Sequence, residues 1–257
     1  MKVSIVTTCR NREATIGNTV RSVMRQTYPD IEHILVDGAS DDRTLQKIEE
    51  CHSPRIAALI SEKDRGCYEA LNKGIRRATG DIVTWLHSDD IYFSDDVVAK
   101  VARIFEETGC DLFYADGLFV SHENPDWVIR DWISGTCSDK KISNGWLPLH
   151  TTVFVRRDVF DRFGYYDEDY VISSDTHWLL RVLYKTGIRV YYLHEYTVRM
   201  GYGGLSTSWT RTFHRWREDL GIYKRVGLSP RRALFKKVAR KIPQYLKAPF
   251  SKAAKKQ

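Results

Sequence analysis

Four short apolar runs separated by stretches of helical spacing occupy the first third of the chain and leave few folds open to it. Val3-Ser4-Ile5-Val6-Thr7 and residues 31–36, 56–60 and 82–86 place apolar and β-branched side chains at consecutive positions. That is the pattern of strands buried on both faces of a sheet. Between them, residues 11–26 set Ile16, Val20 and Val23 on one helical face, and residues 44–51 and 68–78 have helical length. Strands alternating with helices of this size predict a parallel, doubly wound sheet.

The pattern loosens after residue 110. Residues 112–115, 127–129 and 152–155 read as shorter strands, Asp158-Val159-Phe160 opens a short helix, residues 176–186 form a longer one, and 189–193 return as a strand. This half is expected to continue the first sheet, giving an α/β fold with a single Rossmann-like mixed sheet flanked by helices. A chain of 257 residues, 42% hydrophobic and 12% aromatic, can bury a core of that size. No run approaches the roughly 20 apolar residues of a membrane span, and the chain opens directly on a strand, so no secretory signal is expected. The five cysteines (9, 51, 67, 110 and 137) are scattered and include no Cys-x-x-Cys pair. They predict neither a disulfide framework nor a structural zinc site, and point to a reducing cytoplasm.

The residues that could carry chemistry lie where the strands end. Ile82 to Leu86 leads into His87-Ser88-Asp89-Asp90. In open α/β sheets ligands bind just beyond the carboxyl ends of the strands. Two adjacent carboxylates there repel one another unless a cation or hydrogen bonds compensate them. A small set of hard oxygen ligands suits Mg²⁺ or Mn²⁺ shared with substrate phosphates. The alternative is that Asp89 and Asp90 cap the helix beginning near Ser94. The turn Asp37-Gly38-Ala39-Ser40-Asp41-Asp42 offers an acceptor for a ribose hydroxyl or base N–H, or else caps the next helix. In Glu62-Lys63-Asp64-Arg65-Gly66, followed by Asn72-Lys73-Gly74, Asp64 is an acceptor, and Arg65 and Lys73 could meet phosphate charge; the alternative is a solvated charged loop. Asp175, in Ser173-Ser174-Asp175-Thr176-His177-Trp178, is either the cap of an apolar helix or a catalytic base poised over an acceptor. Histidines 150, 177 and 194 stand apart from one another; His150, in a loop with Trp146, is the candidate for an acceptor-side role. Gly201-Tyr202-Gly203-Gly204-Leu205-Ser206 could close over a ligand.

Taken in order, these segments resemble the inverting glycosyltransferases of family 2, which have the A-type nucleotide-sugar fold. Residues 3–13 look like that family's opening strand and nucleotide loop. Residues 22–32 followed by Ile34-Leu35-Val36-Asp37-Gly38-Ala39-Ser40-Asp41-Asp42 are similar to its most recognisable segment. Residues 70–80 with Ser88-Asp89-Asp90 match the approach to its metal motif. Phe163-Gly164-Tyr165-Tyr166-Asp167-Glu168 through Asp175, with Leu179-Leu180-Arg181, looks like its acceptor-side motif. The match spans residues 3–206. It implies that Thr8, Cys9 and Asp37 line the nucleoside pocket with Arg10, that Asp64 and Arg65 lie near the base, and that Lys73 and Ser88 belong to the donor site. It further implies that Asp89, with Asp90 beside it, binds the metal that bridges the diphosphate, and that Asp175 is the general base. Many relatives carry two acidic residues where this chain has Asp37-Gly38, and an aspartate where it has His87 or Ser88.

The charge is divided along the chain. Residues 220–257 hold twelve Lys or Arg and no acid, so removing those twelve from the net +7 leaves −5 for residues 1–219. Such an asymmetry concerns partners and not fold. From Arg231 to Leu246, helical spacing would set Leu234, Val238, Ile242 and Tyr245 on one face, with Lys236, Lys237, Arg240 and Lys247 largely elsewhere. A basic amphipathic helix of this kind suits an anionic membrane interface; the alternative is a plain solvated tail. The domain reading is therefore a catalytic domain over 1–220 and a basic tail over 221–257, peripheral at the inner face of the membrane. Nucleic acid is disfavoured as a partner by the acidic body and the lack of a recognition motif.

The resulting expectation is a metal-dependent enzyme that moves a sugar from a nucleotide-diphosphate donor, UDP-linked, to a hydroxyl of a glycan or lipid-linked acceptor, with inversion, in cell-surface polysaccharide assembly. Two rivals stand beside it. A sugar nucleotidyltransferase would need a glycine-rich triphosphate loop after the first strand, and Thr7-Thr8-Cys9-Arg10-Asn11 has no glycine. A catalytically silent nucleotide- or glycan-binding subunit would have no use for intact Asp89, Asp90 and Asp175.

Overall fold

A computed structural model describes residues 1–124, 126–203 and 209–251. Strands β1 (Val3–Cys9), β2 (Ile31–Asp37), β3 (Ile56–Ser61) and β4 (Ile82–Trp85) pair in parallel in the order β3-β2-β1-β4. Helices α1 (Ile16–Met24), α2 (Thr44–Glu49) and α3 (Cys67–Arg77) lie between successive strands. This is the doubly wound half that the alternating pattern predicts. β1, β2 and β4 are almost wholly buried, which explains their continuous apolar runs. Successive residues Ile5 and Val6 of β1 belong to different apolar clusters, because alternate side chains leave opposite faces of the sheet. Gly74 lets α3 approach β1 closely, since a Cβ there would come 2.3 Å from Val6 Cγ1.

The second half joins the same sheet with mixed polarity. β4 takes an antiparallel neighbour, β8 (Phe154–Arg156). β8 pairs with β6 (Leu112–Val120), which runs parallel to β9 (Val190–Gly201). The two-residue β5 (Ile91–Tyr92) closes that edge against β9, and β7 (Val128–Trp132) pairs with β6 off the main path. Around it lie α4 (Val97–Thr108), α5 (Asp139–Ile142), α6 (Asp158–Phe163), α7 (Ser174–Leu183) and α8 (Trp209–Arg225). Both β6 and β9 extend beyond the segments expected from sequence. Asp116-Gly117 has the look of a break, but Asp116 is buried with donors from Ser134 N (2.7 Å) and Tyr192 Oη (2.9 Å). Gly117 leaves space that Leu149 fills, 2.5 Å from where a Cβ would stand.

The tail differs from the single helix expected over 231–246. It is split into α9 (Pro230–Ala239) and α10 (Lys241–Lys247), which meet at Arg240, shortly before Pro243. Leu234 packs against the main core and Val238 is half-buried, while Ile242 and Tyr245 are exposed, so these four do not form one outward face. The reason is that the tail uses its apolar residues to dock on the body. Gly145 meets the Ala233 backbone, Arg240 Nη1 donates to Asn144 O (2.9 Å), and Arg130 Nε donates to Gln244 Oε1 (2.6 Å). The 220/221 boundary falls within α8. Of the proposed closing loop, residues 204–206 lie outside the described residues.

Candidate active site

The site forms along the carboxyl edge of the parallel strands. Register pairing sets Cys9, the last residue of β1, beside Asp37, the last of β2. Asp37 is fully buried, and its carboxylate accepts from Ser40 N (3.0 Å), Ser61 Oγ (2.7 Å) and the Ser40 hydroxyl. The Cys9 thiol points at Asp37 Oδ1 (3.7 Å) and is pushed far up in pKa by burial and by that carboxylate. Thr8 is half-buried at the strand end and Arg10 is exposed beyond it. Gly38 explains one departure from the family pattern. A Cβ there would lie 2.6 Å from Asp64 Oδ2 and 3.4 Å from Arg10 Cδ, so the glycine admits Asp64 and Arg10 to the same corner. Burial raises the Asp64 pKa from its ordinary value.

Arg65 and Lys73 are engaged with acids. Arg65 bonds Glu69 and Glu168, and Lys73 Nζ pairs with Glu62 (2.8 Å) and Glu69 (3.2 Å). Both side chains would have to exchange these partners to meet a phosphate.

After β4 the chain turns tightly, with Asp90 N donating to His87 O (3.0 Å). The turn splits the acidic pair. Asp89 is half-buried, as is His87, while Ser88 and Asp90 are buried. Asp90 Oδ1 accepts from Gly201 N (3.3 Å), its Oδ2 has no partner, and burial with the Asp89 charge raises its pKa well above normal. A half-exposed carboxylate beside a buried one with an orphaned oxygen fits a cation completed by diphosphate oxygens and water. Among the described residues no group of three or more His, Cys, Asp or Glu could hold a metal unaided.

The second carboxylate station is the first turn of α7. Asp175 is half-buried, its Oδ1 accepts from Thr176 N (2.6 Å), and burial raises its pKa. A line of rings joins the two stations. The Asp89 charge acts on His87, whose ring stacks 6.0 Å from His150. His150 Nδ1 accepts from Trp85 Nε1 (3.1 Å), so its Nε2 carries the proton and donates to Tyr166 Oη (2.8 Å). Burial, with the neighbouring His87, holds His150 neutral. Tyr166 in turn feels the Asp175 charge and stacks near Tyr68 and Trp178. His150 is thus a half-buried link between Trp85 and Tyr166. Trp146 is part of the core, its Nε1 donating to Ser134 O (2.8 Å). A cavity of about 520 Å³, lined in part by Tyr114, Cys137, Lys185 and Tyr192, includes none of Asp37, Asp64, Asp89 or Asp175.

Several site residues had no sequence signal of their own. Asn72 clamps the 166–168 segment to α3, donating to Tyr166 O (2.8 Å) and Glu168 Oε1 (2.9 Å) and accepting from Tyr166 N (3.0 Å). Glu218 of α8 accepts from the backbone N–H groups of Val171, Ile172 and Ser173 at 2.8–3.1 Å, which fixes the approach to Asp175. Asp219 and Lys237 pair behind it. The one available hint was that Glu218 and Asp219 are the last acids before a wholly basic stretch.

A family profile described as Glycosyl transferase family 2 matches residues 4–190. A PGL/p-HBAD biosynthesis glycosyltransferase of Mycobacterium bovis (strain BCG / Pasteur 1173P2) is 30% identical over 210 residues, covering 80% of this chain and 79% of that protein. The Escherichia coli UDP-Glc:alpha-D-GlcNAc-diphosphoundecaprenol beta-1,3-glucosyltransferase WfgD is 32% identical over 104 residues, 40% of this chain and 41% of its own. Among solved structures, S. aureus TarS 1-349 in complex with UDP-GlcNAc superposes with a TM-score of 0.68 at 17% identity, over 98% of this chain and 73% of that one. The mannosyltransferase PcManGT from Pyrobaculum calidifontis, in complex with GDP-Man and Mn²⁺, gives 0.63 at 17% identity, over 93% and 73%. These two share the fold of the chain.

Proposed function

Since the chain belongs to glycosyl transferase family 2, we propose that it transfers a sugar, with inversion, from a UDP-linked donor to a hydroxyl of a lipid-linked glycan in cell-surface polysaccharide assembly. The observation that carries this reading is the pair of carboxylate stations, Asp89 at the end of β4 and Asp175 at the start of α7, joined by the His87–His150–Tyr166 line. The WfgD name records a UDP-Glc donor and a diphosphoundecaprenol acceptor, and TarS was solved with UDP-GlcNAc; both support the donor and acceptor classes.

In this reading Asp37, with Cys9 and Thr8, faces the nucleoside, and Asp64 and Arg10 share the corner that Gly38 opens. Asp175 takes the proton of the acceptor hydroxyl as that oxygen attacks the anomeric carbon opposite the nucleotide. One base on one face suffices, and the configuration inverts. Asp89 and Asp90 would hold Mg²⁺ or Mn²⁺, whose charge would offset that developing on the leaving diphosphate. Glu218 keeps the Asp175 loop in place through three backbone bonds.

The test is UDP release from UDP-glucose and UDP-N-acetylglucosamine with extracted lipid-linked glycan as acceptor. Asp175→Asn is expected to lose about 10²–10⁴-fold in turnover and to keep the thermal stabilisation produced by UDP with Mn²⁺. Asp89→Ala is expected to lose that stabilisation as well. Wild-type-like turnover in Asp175→Asn would overturn the assignment of the base.

A further inference from the structure

We propose that Lys237, carried by the C-terminal helix α9, is a positioning residue for the reaction: it clamps the start of α7 to α8 and sets a fixed positive charge behind Asp175. This deepens the reading of Asp175 as the general base and rests on it.

The geometry is a three-element clamp. Lys237 Nζ donates to both carboxylate oxygens of Asp219 on α8 (3.0 and 2.9 Å) and to Thr176 Oγ1 on α7 (3.1 Å), the residue next to Asp175. Asp219 is 1% exposed and the Lys237 side chain 22% exposed, so the pair is shielded from water. Buried ion pairs of this kind are costly to break, because the partner left behind stays buried and charged. Thr176 is itself buried, so its hydroxyl position is set by packing and the clamp fixes the first turn of α7.

The charges around Asp175 come from every element packed there. From α9 comes Lys237, and from α8 come Asp219, Arg215 and Tyr223. From α3 come Cys67 and Tyr68, and from the preceding loop Tyr166. Burial drives the Asp175 pKa up, and Lys237 is the leading influence against it, ahead of the opposing effect of Asp219. Burial works against the Lys237 ammonium too, but Asp219, Tyr223 and Asp175 outweigh it and raise its pKa, so the cation persists at neutral pH. A base must be ionised to accept a proton. Lys237 favours the ionised form of Asp175 against the burial that disfavours it. The basic tail is thus joined to the chemistry: if α9 leaves the body, the cation leaves Asp175.

The test follows the Asp175 carboxyl titration by NMR in protein with isotope-labelled aspartate, the resonance being identified by its absence in Asp175→Asn. This readout needs no substrate. Lys237→Met is expected to raise the titration midpoint by about one pH unit, and Lys237→Arg to leave it near the wild-type value. An unchanged midpoint in folded Lys237→Met overturns the proposal. Should that variant fail to fold, the pair Lys237→Gln/Asp219→Asn replaces the ion pair with an amide–amide hydrogen bond. It is expected to show a smaller rise, since the Asp219 charge leaves with the lysine, and no rise overturns the proposal. Failure of the base reading is seen separately, as retained UDP release in Asp175→Asn.

Discussion

His33 shows how a single buried side chain ties stability to pH. It lies in the middle of β2, fully buried, with Nε2 against Thr7 Oγ1 (3.0 Å) and Nδ1 unpartnered. Burial lowers its pKa to about 3. In the unfolded chain it titrates near the ordinary value of about 6.5, so below that pH the unfolded state binds the extra proton. The stability it contributes is whole above about 6.5 and falls away as pH drops towards 3, by about 2 kcal/mol at pH 5. His33→Gln is expected to flatten the fall in unfolding free energy between pH 6.5 and pH 5 by up to one proton. Urea melts across that range measure it. A slope equal to the wild type would mean that His33 protonates without opening the strand. His150 is likewise held neutral by burial, so part of the slope survives the substitution.

Among the elements, α9 is the one whose docking has consequences beyond its own stability. It sits against Gly145, whose φ is +74° and whose hypothetical Cβ would fall 2.2 Å from Ala233 O and 2.8 Å from Ala233 C. Backbone cannot swing away as a side-chain tip can, so Gly145→Ala carries both a strained φ and a forced shift of α9. It is expected to cost about 2–4 kcal/mol. Gly187, with φ +70° and open space around it, is the control, expected to lose only about 1 kcal/mol on substitution by alanine. Thermal melts of the two variants separate backbone strain from undocking. Equal losses would show that the α9 contact contributes nothing. The same packing argues against truncation as a way to study the tail, since removing residues 230–257 takes Lys237 from Asp219 and uncovers the Asp219 carboxylate.

At the scale of the molecule, the tail presents two kinds of surface. Its inner side is docked, and outside it stand Phe235 (73% exposed), Ile242 (61%), Leu246 (69%) and Phe250 (77%), near exposed Arg231, Arg232 and Lys247. No helix among the described residues is long and apolar enough to cross a membrane. Exposed apolar side chains interspersed with cations match an anionic lipid interface, each buried apolar side chain contributing about 1.5–3 kcal/mol at most and each nearby cation about 1 kcal/mol. The expected outcome is co-sedimentation with phosphatidylglycerol-containing vesicles, weakened by salt and by Phe235→Ser/Leu246→Ser/Phe250→Ser, and absent with pure phosphatidylcholine. A wild-type protein that stays in the supernatant with both vesicle types would sink the membrane reading.

The amino-acid sequence by itself determined the architecture of the first half and which residues stand at strand ends. That information is local: β-branched runs, helical spacing and turn residues act over a few positions, so β1 to β4 and the places of Asp37, Asp64 and Asp89 were legible. It also placed Asp175 at the start of an apolar helix, although a cap and a base look alike there. What only the tertiary structure decided depends on contacts between distant segments. The inequality of Asp89 and Asp90 arises because Gly201 closes over one of them, 111 residues away. The need for glycine at position 38 arises from Asp64 on the next strand's loop. The single tail face that helical periodicity suggested is broken up in the fold, because α9 packs Leu234 on the core while Ile242 and Tyr245 of α10 stand exposed. Lys237 appeared as one basic residue among twelve; only its burial against Asp219 and Thr176 distinguishes it, and burial is a property of the folded chain.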